Sequence, residues 1–313
     1  MPKRPPARTS WPASPRPAPA SRGKAPPRLR QRPGHAAAAA APPSDTTARG
    51  ADAGKLLRVA GLPAVATLFE SSPERVERLF FDARMQPHAA SFCRMLAASR
   101  RPYRLVEPAE LERVAGTVLH GGIVAVARPR PILAFDAEAA KRWAAADSKP
   151  LLLLDGIGNP HNLGAIARTA AFFGLPRIVI SDDPAQAVPS DAAHRIAEGG
   201  LDRIELYRAT RLPAALKQLR ASYRVLGTAL GRGRALEAVE RDLTTRRDGD
   251  SAAGRRRPVA LVLGNEEQGL GGATLAACEE IVTIPGAGGV QSLNVSAAAA
   301  ILIHAFARIG GKT

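Results

Sequence analysis

The sequence predicts an α/β protein: a largely parallel sheet domain in the C-terminal half, a smaller α/β domain before it, and a basic tail at the N-terminus. Three observations carry this expectation. From Leu151 onward, short apolar strands alternate strictly with helical stretches, the pattern of a parallel sheet covered on both faces. From Leu56 to about Arg128, shorter helices and strands alternate within one compact stretch. The first 50 residues hold ten Lys and Arg, a single acid (Asp45) and 12 of the 27 prolines.

Residues 1–53 therefore form the first segment, a basic Pro/Ala/Arg-rich tail. The tract "HAAAAAAPP" and the scarcity of large apolar residues leave too little burial to offset ordering entropy, so the tail is expected to be disordered. It is Arg-rich like a transit peptide, but its prolines forbid the amphipathic helix such a peptide needs. It reads instead as a nucleic-acid-contacting arm. In residues 54–130, Ser72 and Pro73 predict an N-cap and first helical position, with Val76, Leu79 and Phe80 as the buried stripe. "GIVAVA", Gly122–Ala127, predicts a buried strand. Residues 131–149 read as a linker with one helical stretch.

In residues 150–313, strands are predicted at 151–155, 177–181, 204–207, 223–229, 259–263 and 280–284. Helices are expected near 162–173, 190–198, 210–220, 272–278 and 293–308. The polar, Arg-rich interval Gly231–Pro258, between two strands, predicts a flexible surface insertion, read as a solvated loop or as a second RNA-contacting patch.

Net charge of +16 and a pI near 11.1 point to a polyphosphate partner, with nucleic acid the natural one. Cys93 and Cys278 stand far apart, and six scattered histidines form no ligand pattern, so neither a disulfide framework nor a metal site is expected. The longest apolar stretch, Val295–Ala307, is shorter than the ~20 residues of a membrane span. The expectation is a soluble, cytoplasmic protein with no membrane partner.

The segment "DGIGNPHNLGAIARTAAFFG", Asp155–Gly174, invites a dinucleotide loop, with Asp182 or Asp183 as ribose acceptor. The third glycine position is His161, however, and no Lys-Ser/Thr follows Gly164, so both the dinucleotide fingerprint and a P-loop fail. Asn162 is the expected N-cap, with Pro160 blocking helix just before it. Arg168 lies between "AIA" and "TAAFF" and is expected among core residues. A buried guanidinium must be paired, which leaves a structural ion pair, a snorkelling stem or capture of an anionic ligand. "VALVLGNEEQGL", Val259–Leu270, is a buried strand ending in a glycine-bounded acidic loop. "IVTIPGAGGVQSLNVSAAAAIL", Ile281–Leu302, is a strand, a glycine-rich loop and a small-residue helix. His120 and His161 read as structural or RNA-positioning.

Taken in order, "NPHNLGAIARTA", "LVLGNEEQGL" and "IPGAGGVQSLNVS" closely resemble the three motifs of the SpoU/TrmH branch of the SPOUT RNA methyltransferases. The preceding "GLPAVATLFE" and "AGTVLHGGIVAVA" resemble that family's L30e-like substrate-binding domain. With the basic tail and "RIAEGG" at Arg195–Gly200, the layout looks most like the YfiF-type members. The resemblance implies a deep trefoil knot in the C-terminal sheet, a rare exception to unknotted topology. It implies S-adenosylmethionine held by backbone groups around Gly264, Ile284 and Leu293, with Leu263, Gly286 and Asn294 beside them. A homodimer whose active site is completed across the interface is expected, as is methyl transfer to a ribose 2′-hydroxyl of tRNA or rRNA. Arg168 would orient the target nucleotide's phosphate, and Asn162, Glu266, Ser292 and Asn294 would frame the site. Glu266 has three available roles: pairing with Arg168, positioning a turn, or taking the proton. The alternative of another class is an RNA-binding or ribosome-assembly factor that keeps the fold with little turnover.

Overall fold

The computed structural model describes residues 55–245 and 256–310. The expected disordered tail and residues 246–255 of the expected insertion lie outside the described residues.

The smaller domain runs β1 (Leu57–Ala60), α1 (Leu62–Ser71), β2 (Val76–Phe81), α2 (Gln86–Ala98), β3 (Tyr103–Leu105), α3 (Pro108–Ala115) and β4 (Ile123–Ala127). Its strands form a sheet in the order β1-β4-β2-β3, with β4 antiparallel to both neighbours and β3 parallel to β2. Leu68 and Phe69 of α1 and Ala89 and Leu96 of α2 pack on one face, Leu111 and Ala115 of α3 on the other.

One expectation here is corrected. Ser72 and Pro73 open only a single 3-10 turn, Pro73–Arg75, and the stripe Val76, Leu79 and Phe80 lies on the strand β2. The cause is a shift in register between Val76 and Arg78 against β4. The extra residue turns Val76 and Leu79 to the same side, three apart, which imitates helical spacing.

The larger domain continues with β5 (Leu133–Ala134), α4 (Ala137–Ala146), β6 (Leu151–Asp155), α5 (Pro160–Phe172), β7 (Arg177–Ser181), α6 (Asp191–Ala197), α7 (Gly200–Arg203), β8 (Glu205–Ala209) and α8 (Leu212–Leu219). It ends with β9 (Arg224–Thr228), β10 (Arg234–Ala235), α9 (Leu236–Thr245), β11 (Val259–Gly264), α10 (Gly272–Ala277), β12 (Glu280–Thr283) and α11 (Val295–Gly310). Among the described residues its sheet has eight strands, all parallel, in the order β10-β12-β9-β11-β6-β7-β8-β5. The leucine run of β6 explains the two-faced core. Leu152 and Leu154 meet α5, α6, α9 and α11, whereas Leu151 and Leu153 meet α4, α8 and α10, because successive strand side chains point to opposite faces.

The 131–149 stretch contains its expected helix, α4, and also supplies β5, which pairs with β8 at the sheet edge. The Gly231–Pro258 interval is a second correction, since it carries β10 and α9. Leu236, Val239 and Leu243 of α9 are buried against the core; their helical spacing is diluted in sequence by intervening charges. Among the described residues no helix is long and apolar enough to cross a membrane.

The two domains meet along α6, α7, β1 and α1. Arg58 of β1 pairs with Asp191 at 3.3 Å and Arg203 with Glu70 at 2.8 Å, both exposed. At the centre, buried Arg75 donates through Nη1 to Asp202 Oδ1 at 2.6 Å and through Nε to the Arg128 carbonyl at 3.0 Å. His194 Nδ1 stands 3.5 Å from Asp202 Oδ2 without forming an aligned hydrogen bond. Burial by itself would raise the Asp202 pKa, but His194 and Arg75 hold the carboxyl below its ordinary value.

Candidate active site

Parallel strands place the loops after β6, β9, β11 and β12 along one edge of the sheet, the usual position for ligand groups in such folds. The start of α5 is built differently from the sequence expectation. Asn159, not Asn162, is the N-cap: its side chain accepts from the His161 amide at 2.9 Å, and Pro160 is the first helical residue rather than a block before it.

Asn162 is thereby free for a tertiary role inside the first turn. Its Nδ2 donates to Glu266 Oε1 at 2.7 Å, and its Oδ1 accepts from Asn294 Nδ2 at 3.1 Å. Glu266 Oε2 accepts from the Gly158 amide at 3.4 Å. Asn294 Oδ1 accepts from the amide and hydroxyl of Ser296 at 2.8 and 2.6 Å, at the start of α11. Through one buried asparagine the start of α5 is thus joined to two segments that each lie more than 100 residues further along the chain. Because both ends of the Asn162 amide are engaged, its orientation is determined by its neighbours.

Asn265 was not singled out by sequence reasoning. Its Nδ2 donates to the Gly156 carbonyl at 2.8 Å, while its Oδ1 accepts from the amides of Glu267 and Gln268 at 2.9 and 3.0 Å. It therefore shapes the acidic loop and ties it to the loop after β6. Its position between Gly264 and Glu266, where Asn favours local side-chain turns, was the available signal.

Arg168 is corrected in two respects. Its side chain is 56% exposed rather than buried, and its Nη2 pairs with Glu198 Oε2 at 2.8 Å, not with Glu266. The helix turns its apolar face, with Leu163, Ile166, Ala167 and Ala170, into the core and leaves Arg168 outside. Glu198 carried no assigned role from sequence; only its place in "RIAEGG" marked it. Ser292 lies exposed in the loop before α11 and joins none of these hydrogen bonds.

Of the expected cofactor residues, Leu263 is buried, Ile284 half-buried, and Gly286 and Leu293 exposed. Gly264 ends β11 where a Cβ would lie 2.4 Å from Gly269 C and 2.5 Å from Leu270 N. Glycine alone lets the 265–269 loop fold back there, with Asn265 and Gly269 bridging. His120 is buried and structural, its Nδ1 accepting from the Gly122 amide at 3.1 Å.

A model of the SpoU rRNA methylase family matches residues 149–304, and one for RNA 2′-O ribose methyltransferase substrate binding matches residues 58–133. The 23S rRNA (guanosine-2′-O-)-methyltransferase RlmB of Acinetobacter baylyi is 32% identical over 255 residues, spanning 78% of this chain and 94% of that one. The chain belongs to the SpoU methylase family. A second relative of this SpoU methylase, the uncharacterized tRNA/rRNA methyltransferase YfiF of Escherichia coli O157:H7, is 32% identical and spans 79% of this chain and 66% of its own. Its fold is shared with an S-adenosylmethionine-bound rRNA methyltransferase from Sinorhizobium meliloti, at a TM-score of 0.63 and 20% identity, covering 81% and 87% of the two chains. The SpoU methyltransferase AviRb of Streptomyces viridochromogenes, also with S-adenosylmethionine, matches at 0.61 and 22% identity over 81% and 90%.

The cofactor of the family fits the residues present. The 286–292 loop is exposed, and its peptide groups enter no hydrogen bond among the described residues, so backbone donors and acceptors are available to a ligand. Leu293 and Leu230 are 51% and 63% exposed. Free peptide groups with the apolar Leu293 next to them in the chain suit a flat, polar-edged group such as adenine.

Proposed function

We propose that this SpoU methylase transfers a methyl group from S-adenosylmethionine to a ribose 2′-hydroxyl of rRNA or tRNA. The observation that carries the reading is the hydrogen-bonded set Asn162–Glu266–Asn294, which ties the first turn of α5 to the loop after β11 and the loop before α11, the two segments in which the expected cofactor residues lie. When bound, the cofactor supplies an electrophilic methyl group that needs little further activation. The chain's task is then to align the hydroxyl and stabilise developing negative charge on its oxygen. Arg168 holds the phosphate of the target nucleotide; its fixed charge and planar fork suit an orienting and electrostatic role. Glu266, with both oxygens accepting, positions Asn162 and the 156–158 loop. Backbone groups of Leu263, Gly264, Ile284, Gly286 and Leu293, with Asn294, hold the cofactor, and Ser292 faces the substrate.

The reading includes a trefoil knot around β11 and β12, a cytoplasmic location and a homodimer. Phe172, at the end of α5, is 82% exposed, and Ile301 of α11 is 41% exposed; a dimer through these two helices would cover both. The 54–130 domain binds the RNA, read by shape and dispersed contacts, and the 1–53 tail adds charge.

The test is transfer of labelled methyl to total RNA from a strain lacking the gene, followed by mapping of 2′-O-methyl sites in rRNA and tRNA. Wild-type protein is expected to label one of the two RNA classes and Arg168→Ala to lose at least 100-fold in rate. Full activity of Arg168→Ala would overturn its assignment, and absence of S-adenosylmethionine binding by calorimetry would favour the RNA-binding alternative.

A further inference from the structure

We propose that Glu198 is a displaceable counter-ion of Arg168: it holds the guanidinium where an RNA phosphate binds and yields it to that phosphate. This rests on the reading of Arg168 as the phosphate contact and adds a positioning residue to it.

The pair is close and open at once. The Arg168 Nη2 to Glu198 Oε2 distance is 2.8 Å, with the side chains 56% and 48% exposed. A solute anion therefore has access to both partners, and solvent screening keeps the pair weak enough to exchange. An arginine already committed to a buried carboxylate would have no such freedom.

The carboxylate is also held in place by its backbone. Glu198 closes α6 in a left-handed conformation, φ 45° and ψ 45°, with its amide donating to the His194 carbonyl at 3.2 Å. That region favours glycine, so a glutamate there is held by what surrounds it. A Cβ on Gly199 would lie 2.6 Å from Thr67 Oγ1 of the smaller domain, and one on Gly200 would lie 2.8 Å from the Arg168 Cα. Residues 199–200 are thus wedged between α1 and the very turn of α5 that carries Arg168. Two residues further on, Asp202 is clamped by Arg75. The RNA-binding domain consequently fixes the backbone from which Glu198 reaches Arg168.

Exchanging one anion for another keeps the guanidinium partnered and oriented before and after binding. It also makes the site selective, because a ligand must bring an anion able to displace a tethered carboxylate. Removing the carboxylate should strengthen anion binding and relax that selection.

The experiment uses the full chain without cofactor. The Nε–Hε resonance of Arg168, identified by its loss in Arg168→Lys, is followed while inorganic phosphate is added to wild type and Glu198→Gln. Phosphate binding is expected to be about 3- to 5-fold tighter in Glu198→Gln, the range for releasing an exposed ion pair. In methyl transfer to total RNA from a strain lacking the gene, the same variant should lower KM severalfold, with the change falling on KM rather than kcat. Equal phosphate affinity in the two proteins overturns the counter-ion role and leaves the methyltransferase reading standing. Full transfer by Arg168→Ala overturns the phosphate reading, whatever the titration of Glu198→Gln gives.

Discussion

Asn162 and Glu266, 104 residues apart in the chain, share a 2.7 Å hydrogen bond that links the first turn of α5 to the loop after β11. Asn162 donates, and its other end accepts from Asn294, so the three loops of the site form one connected unit. Each partner is left with an unsatisfied polar group when the other is removed, at a cost of about 1–3 kcal/mol. Glu266→Ala and Asn162→Ala are each expected to lower methyl transfer by about 100-fold. The double variant should lose little more than either single one, because the pair acts as a unit. Additive losses in a double-mutant cycle would show that the two residues work separately.

Arg168→Lys tests geometry against charge. A lysine keeps the positive charge but not the planar fork that holds phosphate in two-point contact. The expected result is a loss of about tenfold or more in kcat, intermediate between wild type and Arg168→Ala, with RNA affinity weakened less than in the alanine variant. If lysine restored full activity, point charge alone would account for the role.

The strands of the larger domain were legible because each is a short apolar run between turn residues, and Leu151–Asp155, Arg177–Ser181 and Val259–Gly264 fall where expected. What misled was local. The bulged strand β2 imitates a helical stripe, and the charges interleaved in α9 hide its apolar spacing. Within the site, Asn162, Glu266 and Asn294 were legible as motif residues, but their mutual hydrogen bonds are tertiary and have no sequence signature. Arg168 was expected inside because its neighbours are apolar, although a single helical position can face out between buried ones. Glu198 depends on the packing of Gly199 and Gly200 between two domains, which no local pattern encodes.

Cys278 is expected to be inert in the folded protein. Burial pushes its thiol up to about 11, and its Sγ lies 3.3 Å from the Thr274 carbonyl. Burial also raises the half-buried Cys93. At pH 8 both are thiols rather than the reactive thiolates. Mass spectrometry after alkylation should find Cys278 unmodified in native protein and modified once the chain is unfolded. Rapid native labelling of Cys278 would contradict its buried placement.

The Arg75–Asp202 contact should make the junction between the domains sensitive to acid. Because the folded-state pKa of Asp202 lies below its ordinary value, its contribution is fully present above about pH 4, near the unfolded carboxylate value. It is lost as pH falls from there through the folded pKa, since the unfolded chain then binds the proton more readily. Asp202→Asn at neutral pH leaves buried Arg75 without its charge partner and is expected to cost about 3–5 kcal/mol. At a few degrees per kcal/mol this lowers the melting temperature by on the order of 10 °C. Replacing Asp202 should also flatten the acid limb of the stability curve, because the group that titrates has gone. Thermal melts of wild type and Asp202→Asn from pH 3 to pH 7 check both effects: the gap between the proteins should be widest near neutrality and close as the acid limb is descended. A gap that stays constant down to pH 3 would show that protonation of Asp202 does not govern the junction.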